Sequence, residues 1–285
     1  MTEQSEVKGR AVSTAPGGRG RLKILFLGNS YNRLSVECLL ALLGAGHEVV
    51  VGEYNPVAKN RWRTVKDSAK SYDFLFLSCK LVELVWLKIR LRLRRRGYQF
   101  EHFYSVPAVI YAYGLDSIPC TDPNGAEFIA LARGFAPDLM VVGAFSRILK
   151  APLISVPRLG CINVHPSLLP RYRGPDPHYW VLANGERTTG VTVHHIDEGI
   201  DSGKIIAQRE LAVRPGDTEM TLQARANVAA AQLLGEAVSL VAAGKAPAVE
   251  QNEAEASYYS FPPRKKGRKS GLVSSLIRDL VHPLL

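Results

Sequence analysis

Cysteine is scarce in this chain. Its 285 residues hold four, at positions 38, 79, 120 and 161, and no two form a CxxC pair. That spacing gives no disulfide framework, and isolated buried thiols are the expectation. Metal-ligand spacing is missing too: there is no HExxH and no paired Cys/His pattern. A metal site would need His165, His178, His194 and His195 to cluster, and no metal is expected. The first 21 residues contain no apolar run, so they are not read as a secretory signal and a cytoplasmic protein is expected. The stretch FLFLSCKLVELVWLKIRLRLRRR at 74–96 is broken by Lys80, Glu83 and Lys88, which argues against a membrane span. No internal repeat is visible.

Acidic residues are in deficit. Asp and Glu number 26 against 36 Lys and Arg, for a net charge of +10. The excess is local. Lys88, Arg90, Arg92, Arg94, Arg95 and Arg96 form one patch, and Arg264, Lys265, Lys266, Arg268 and Lys269 form another. Together they account for the whole excess, so the rest of the chain is close to neutral. Patches of this kind are solvated surface or attract phosphate, nucleic acid or an anionic membrane surface, the last as a weak contact through 80–96 and 264–269. What remains is ordinary for a globular protein with a sizeable core: 46% hydrophobic and 22% charged residues.

Residues 1–20, rich in Gly, Ser, Thr and charge, are expected to be disordered. LKILFLG at 22–28 is a continuous apolar run ending in Gly, which predicts a buried parallel strand. Val36, Leu39, Leu40 and Leu43 then recur at helical spacing, Gly44 or Gly46 stops the helix, and a second strand begins at Val49. Such a β-α-β unit predicts an α/β fold. Further strands are predicted over 136–145, 161–165, 191–195 and 204–209, and helices over 123–135 and 218–243. The division expected is a tail at 1–20 and a catalytic domain at 21–245 carrying a basic insertion at about 74–105. A basic tail at 246–285 would follow, with a short amphipathic segment in which Leu272, Leu276 and Leu280 share a face.

The chemistry gathers around CINVHPSLLPRYRG at 161–174. Asn163 and His165 are two apart in a strand and so point to the same side. Ligands of parallel α/β sheets bind beyond the strands' C-terminal ends, which is where this pair falls. An imidazole exchanges protons near neutrality, and an amide N–H can stabilise a developing oxyanion. Pro166 and Pro170 stiffen the loop that follows. Downstream, TTGVTVHHIDEGIDSG at 188–203 reads as a strand and an acidic loop, in which Asp201 can reach back toward the histidine.

NVHPSLLPRYRG followed by TGVTVHHIDEGIDSGKIIAQ resembles the folate-dependent formyltransferases, over about residues 22–212. The shared features are Asn163, His165, Ser167, Leu168, Leu169, Pro170 and Asp201. The resemblance implies a Rossmann-like, mostly parallel sheet with helices on both faces. It also implies transfer of a formyl group from 10-formyltetrahydrofolate to an amine, without metal. Asn163 and protonated His165 would stabilise the oxyanion, while Asp201 would hold His165 and relay the proton. Arg147, Ile148, Leu149 and Ile154 look like one side of the pterin pocket, and Ile196, Glu198 and Gly199 like the other. Ser167 to Pro170, Arg173 and Tyr179 are candidates for the acceptor side.

The acceptor is expected to be an amino-sugar nucleotide or a methionyl-tRNA-like amine. Only 26 residues follow Tyr259, too few for a C-terminal β-barrel, and none is expected. The turn GNSYN at 28–32 has Ser30 where a phosphate-binding turn would carry a second glycine. Two alternatives stay open. A formyltetrahydrofolate hydrolase would use water in place of the amine, and a folate-binding scaffold would have no activity. Release of tetrahydrofolate and formate without an acceptor separates them.

Overall fold

The computed structural model describes residues 20–54 and 105–262. The readings made for 1–19, for 74–96, for Cys79, for the 264–269 patch and for the amphipathic segment near the C-terminus lie outside the described residues. Strand β1 (Lys23–Gly28) is central, and Ile24 to Leu27 are completely buried. The reason is alternation between two covered faces. Ile24 and Phe26 enter one apolar cluster, and Leu25 and Leu27 enter the other.

Helix α1 (Arg33–Gly44) follows, then β2 (Glu48–Tyr54). The turn at 28–32 is spent on capping. Asn32 accepts a hydrogen bond from the Leu34 N–H at 2.8 Å, which satisfies a free helix donor. Among the described residues, helix α2 (Val106–Tyr113) and strand β3 (Ser117–Cys120) come next; the sequence reading did not delimit them. The predicted 123–135 helix is α3 (Ala126–Phe135). It starts late because Asp122 closes a turn over Pro123, accepting from the N–H groups of Asn124 and Gly125. Strand β4 (Leu139–Gly143), the short helix α4 (Ala151–Ile154) and β5 (Cys161–His165) complete the parallel half.

Helix α5 (Pro177–Ala183) precedes β6 (Thr188–His195) and β7 (Ile205–Ala212). Among the described residues the long helix α6 (Glu219–Ala242) is the last, apart from one 3-10 turn at Glu253–Glu255. Thr218 and Thr221 cap α6 reciprocally, each side chain accepting the other's backbone N–H at 3.2 and 2.9 Å. Its buried face runs Leu222, Ala226, Ala230, Leu233, Ala237, Val241, a spacing of three and four.

The sheet has seven strands in the order β3-β2-β1-β4-β5-β6-β7. Pairing is parallel from β3 to β5, and antiparallel for β5 with β6 and β6 with β7. Helices α1, α2 and α6 cover one face with the cluster that holds Ile24 and Val164, while α3 and α4 cover the other. The expected fold class, mostly parallel with helices on both faces, is therefore what the chain adopts. Strand β7 is an edge, and from Ala207 to Ala212 partly buried residues alternate with exposed ones. At the crevice, the buried Ser35 donates to the Gly143 carbonyl at 2.7 Å and accepts from the Asn29 N–H at 3.0 Å. It thus ties the ends of β1 and β4 together beside the end of β5.

The domain reading closed at 245, but residues 249–259 lie against the sheet end. Val249 exchanges two backbone hydrogen bonds with Ile205, at 2.8 and 3.0 Å, and Tyr258 bridges to Arg173. No helix among the described residues is long and apolar enough to cross a membrane.

Candidate active site

Strand β5 delivers the pair as its alternation requires. Ile162 and Val164 enter the core on the α6 side, so Asn163 and His165 face the other way. His165 is almost fully buried. Its Nε2 lies 2.8 Å from the Tyr172 carbonyl, which can only accept, so Nε2 carries a proton. Its Nδ1 lies 3.5 Å from Asp201 Oδ2.

The Tyr172 carbonyl reaches His165 because the loop after β5 doubles back. Ser167 Oγ donates to the Arg171 carbonyl at 2.9 Å. Thr192 Oγ1 donates to the Ser167 carbonyl at 2.7 Å and accepts from the Leu169 N–H at 3.1 Å. Gln208 Nε2 donates to the Leu169 carbonyl at 2.7 Å. The Leu169–Pro170 peptide is cis, and Tyr172 sits at φ 62°.

Asp201 is held from several directions. Its Oδ2 accepts the Gly174 N–H at 2.9 Å, and its Oδ1 lies 3.4 Å from Asn163 Nδ2. Its own backbone has φ 51°, a conformation a non-glycine residue adopts at a cost. Two glycines make room for this arrangement. A Cβ on Gly203 would run into the His195 carbonyl, and one on Gly174 would run into that of Tyr259.

His194 completes the site. It pairs in register with Asn163, and its Nδ1 lies 2.8 Å from the His195 carbonyl, so Nδ1 is the donor. Burial pushes its pKa well below that of free imidazole, which keeps the ring neutral. The lone pair on Nε2 then accepts from Asn163 Nδ2 at 3.1 Å. One Asn163 N–H is thereby committed to His194, and the other faces Asp201 over the longer 3.4 Å. His178, on α5, is buried with no partner for Nε2 among the described residues. Its pKa is pushed down to about 4, by burial first and by the charge on His165 second.

The other predicted residues fall into two groups. Leu149 is buried in the apolar cluster on the α3 side, and Ile154 and Ile196 pack against the same cluster. Arg147, Ile148, Glu198 and Gly199 are exposed, Ile148 at 59%. Asn124 fixes the backbone beside Ile148, donating to its carbonyl at 2.9 Å and accepting from the Lys150 N–H at 2.8 Å. On the other side, Ser167 and Leu169 are buried within the loop, Leu168 lies over Gly190 and Pro170 is half-buried. Tyr179 is buried, edge-on to Trp180 at 5.1 Å. Arg173 is committed inside the chain, to Gln251 Oε1 at 2.8 and 3.1 Å and to Glu253 at 2.6 and 3.0 Å.

The structure adds partners to two of the predicted residues. The Asn163 amide, read as an oxyanion donor, faces His194 and Asp201. Arg173, read as a candidate for the acceptor side, has its guanidinium paired with Gln251 and Glu253. Sequence reasoning also gave no site role to Gln251, to the Gly174 N–H or to the Tyr172 carbonyl. His194 entered only as one of four histidines that a metal would need. Its position opposite Asn163 on β6 was the available signal, through the two-residue period of the strand.

The three described cysteines are buried, and burial pushes the Cys120 and Cys161 thiols up to about 12. They are thus protonated and unsuited to nucleophilic work. No three His, Cys, Asp or Glu side chains among the described residues are grouped to hold a metal ion.

The chain is 42% identical over 170 residues to the methionyl-tRNA formyltransferase of Syntrophus aciditrophicus, covering 59% of this chain and 53% of that protein. It is 44% identical over 157 residues to that of Anaeromyxobacter dehalogenans, covering 55% and 50%. The chain thus matches about half the length of these relatives. Among solved structures it is similar to glycinamide ribonucleotide transformylase 1 from Symbiobacterium toebii, with a TM-score of 0.56, 21% identity, and 82% and 94% of the two chains covered. It is also similar to an N-formyltransferase from Helicobacter canadensis, in complex with folinic acid and dTDP-3-aminofucose. There the TM-score is 0.57, the identity 19%, and the coverage 91% and 81%. These two likenesses concern the fold. The model of the formyl transferase family matches residues 118–238, which span β5, β6 and the Asp201 loop.

Proposed function

We propose that this chain moves the formyl group of 10-formyltetrahydrofolate onto a primary amine, with Asn163, His165 and Asp201 as catalytic residues. The observation that carries the reading is the Asp201 carboxylate. It faces His165 Nδ1 and Asn163 Nδ2 together while the Gly174 N–H holds it in place. The donor brings an electrophilic formyl carbon. The amine adds there and N10 leaves, so one proton must leave the amine, one must reach N10, and a carbonyl oxygen is negative in between.

The residues divide that work. The Asn163 N–H over the long 3.4 Å contact, the less tightly held of the two, is the donor offered to the negative oxygen, while His194 keeps the other. A donor of this kind is typically worth ~10²–10³ in rate. Asp201 and His165 Nδ1 form the path for the proton the amine gives up.

For the donor we assign the 147–154 segment and the 196–199 loop. Leu149, Ile154 and Ile196 supply apolar surface, and Ile148 and Arg147 are exposed on the same segment. A flat fused ring with an acidic tail suits an apolar surface beside a cation. Glu198 and Gly199 belong to the opposing loop, which Asp197 shapes by accepting from the Gly199 N–H at 3.0 Å. The loop from Ser167 to Pro170 and the aromatic Tyr179 frame the acceptor side. The names of the 42–44% identical relatives support charged tRNA as the amine, and the ligand of the Helicobacter canadensis protein supports an amino-sugar nucleotide.

The test is incubation with 10-formyltetrahydrofolate. Release of tetrahydrofolate only when methionyl-tRNA or an amino-sugar nucleotide is added is the expected result. Release with formate and no acceptor makes the protein a hydrolase, and failure to bind folate makes it a scaffold.

A further inference from the structure

We infer that Gln251 is a positioning residue for Asp201, supplied by a segment beyond the formyl transferase match at 118–238. The inference rests on the catalytic reading of Asp201 proposed above. Gln251 is buried, and it uses its whole hydrogen-bonding capacity. Its Nε2 donates to the Asp201 carbonyl and to the Gly203 carbonyl, both at 2.8 Å. Its Oε1 accepts from Arg173 Nε at 3.1 Å and from Nη2 at 2.8 Å. Two donors and two acceptor sites are all that a glutamine side chain has.

The two ends grip the two loops of the site. One end holds the Asp201 loop where its backbone is least comfortable, at φ 51°. Two carbonyls aimed at one point would repel without a donor between them, so the amide both fills and shapes that turn. The other end holds Arg173, the residue between two functional backbone groups. The Tyr172 carbonyl before it accepts from His165 Nε2, and the Gly174 N–H after it donates to Asp201. Gln251 therefore fixes the distance between the Asp201 carboxylate and His165 without touching either side chain.

The segment that carries Gln251 is itself pinned at both ends. Val249 pairs with Ile205 on one side. On the other, Ser257 accepts from the Arg173 N–H at 2.8 Å and donates to the Pro170 carbonyl at 3.2 Å, and its Oγ accepts from the Tyr172 N–H at 2.9 Å. Arg173 thus acts from behind the site, as the anchor of this cross-link.

Three variants test the assignment by formyl transfer and thermal melting. Gln251→Leu removes both ends of the bridge. Gln251→Glu keeps the acceptor for Arg173 but sets an oxygen against the two carbonyls. Glu253→Ala removes only the exposed outer partner of Arg173. For both Gln251 variants we expect kcat to fall about tenfold or more with KM values within about threefold, as misplacement of a catalytic group predicts. The acid side of their pH profile should move, and Glu253→Ala should stay within about twofold of wild type. If Gln251→Leu does not fold, Gln251→Glu decides. A folded Gln251 variant with wild-type kcat and pH profile overturns the inference. So does a fall in kcat that Glu253→Ala reproduces in proportion to lost melting temperature. Loss of transfer by the wild-type protein itself would instead overturn the catalytic reading.

Discussion

Asn163 and His194 face each other across β5 and β6, and the neutral imidazole takes one of the two amide hydrogens at 3.1 Å. This contact sets which way the amide points. Turned over, its carbonyl oxygen would meet the lone pair of His194 Nε2. We expect His194→Gln, which can keep an acceptor near that place, to retain kcat within about fivefold, and His194→Leu to lose about tenfold or more, the scale of a misaligned catalytic donor. Steady-state kinetics at saturating donor reads the difference.

Gly174 occupies a position no other residue fits. Its φ is 95°, and a Cβ would strike the Tyr259 carbonyl and the Tyr258 ring. Gly174→Ala should therefore displace the N–H that holds Asp201. Activity should drop by more than tenfold, together with a loss of about 1–3 kcal/mol in stability from backbone strain. Urea unfolding and a transfer assay on the same sample check both.

Stability should depend on pH through His178. In the folded chain its pKa lies at about 4, against about 6.5 unfolded. Above pH 6.5 the residue is neutral in both states and has no effect. As pH falls from 6.5 to about 4 the unfolded state binds the proton and the folded state does not, so stability is lost, by about 3 kcal/mol at most. Urea titrations at pH 7.5 and 5 should show the loss. His178→Gln should remove its own share and so reduce the loss, leaving what His194, depressed by burial to a similar degree, and the depressed His47 and His195 contribute in the same direction.

Arg173 should behave as part of the scaffold. Its side chain is paired with Gln251 and Glu253. Arg173→Met should lower kcat and melting temperature and leave KM for the acceptor within about threefold, because no uniform binding contact is removed. A rise in acceptor KM at unchanged kcat would restore the direct contact that its position in LLPRYRG first implied.

Much of the fold could be read from pattern. LKILFLG and the Val36, Leu39 helix repeat carry the periods of a buried strand and a covering helix, and local sequence decides both. Asn163, His165 and Asp201 were legible because a short strand fixes the side of the first two and the downstream loop is marked by glycines. The remainder depends on contacts distant in sequence. Gln251 lies 50 residues beyond Asp201, and only the folded chain shows that it bridges Asp201 and Arg173. The Asn163 orientation depends on a tautomer of His194, which its own neighbour's carbonyl selects. Backbone groups such as the Gly174 N–H leave no side-chain signature to read.

The most direct test of the account is the transfer rate of Asn163→Ala and His165→Ala, measured with 10-formyltetrahydrofolate and an accepted amine in protein shown to be folded by its melting curve. The account predicts a loss of at least about 10² in kcat for each, with folate still bound. Turnover near wild type in either folded variant would contradict it.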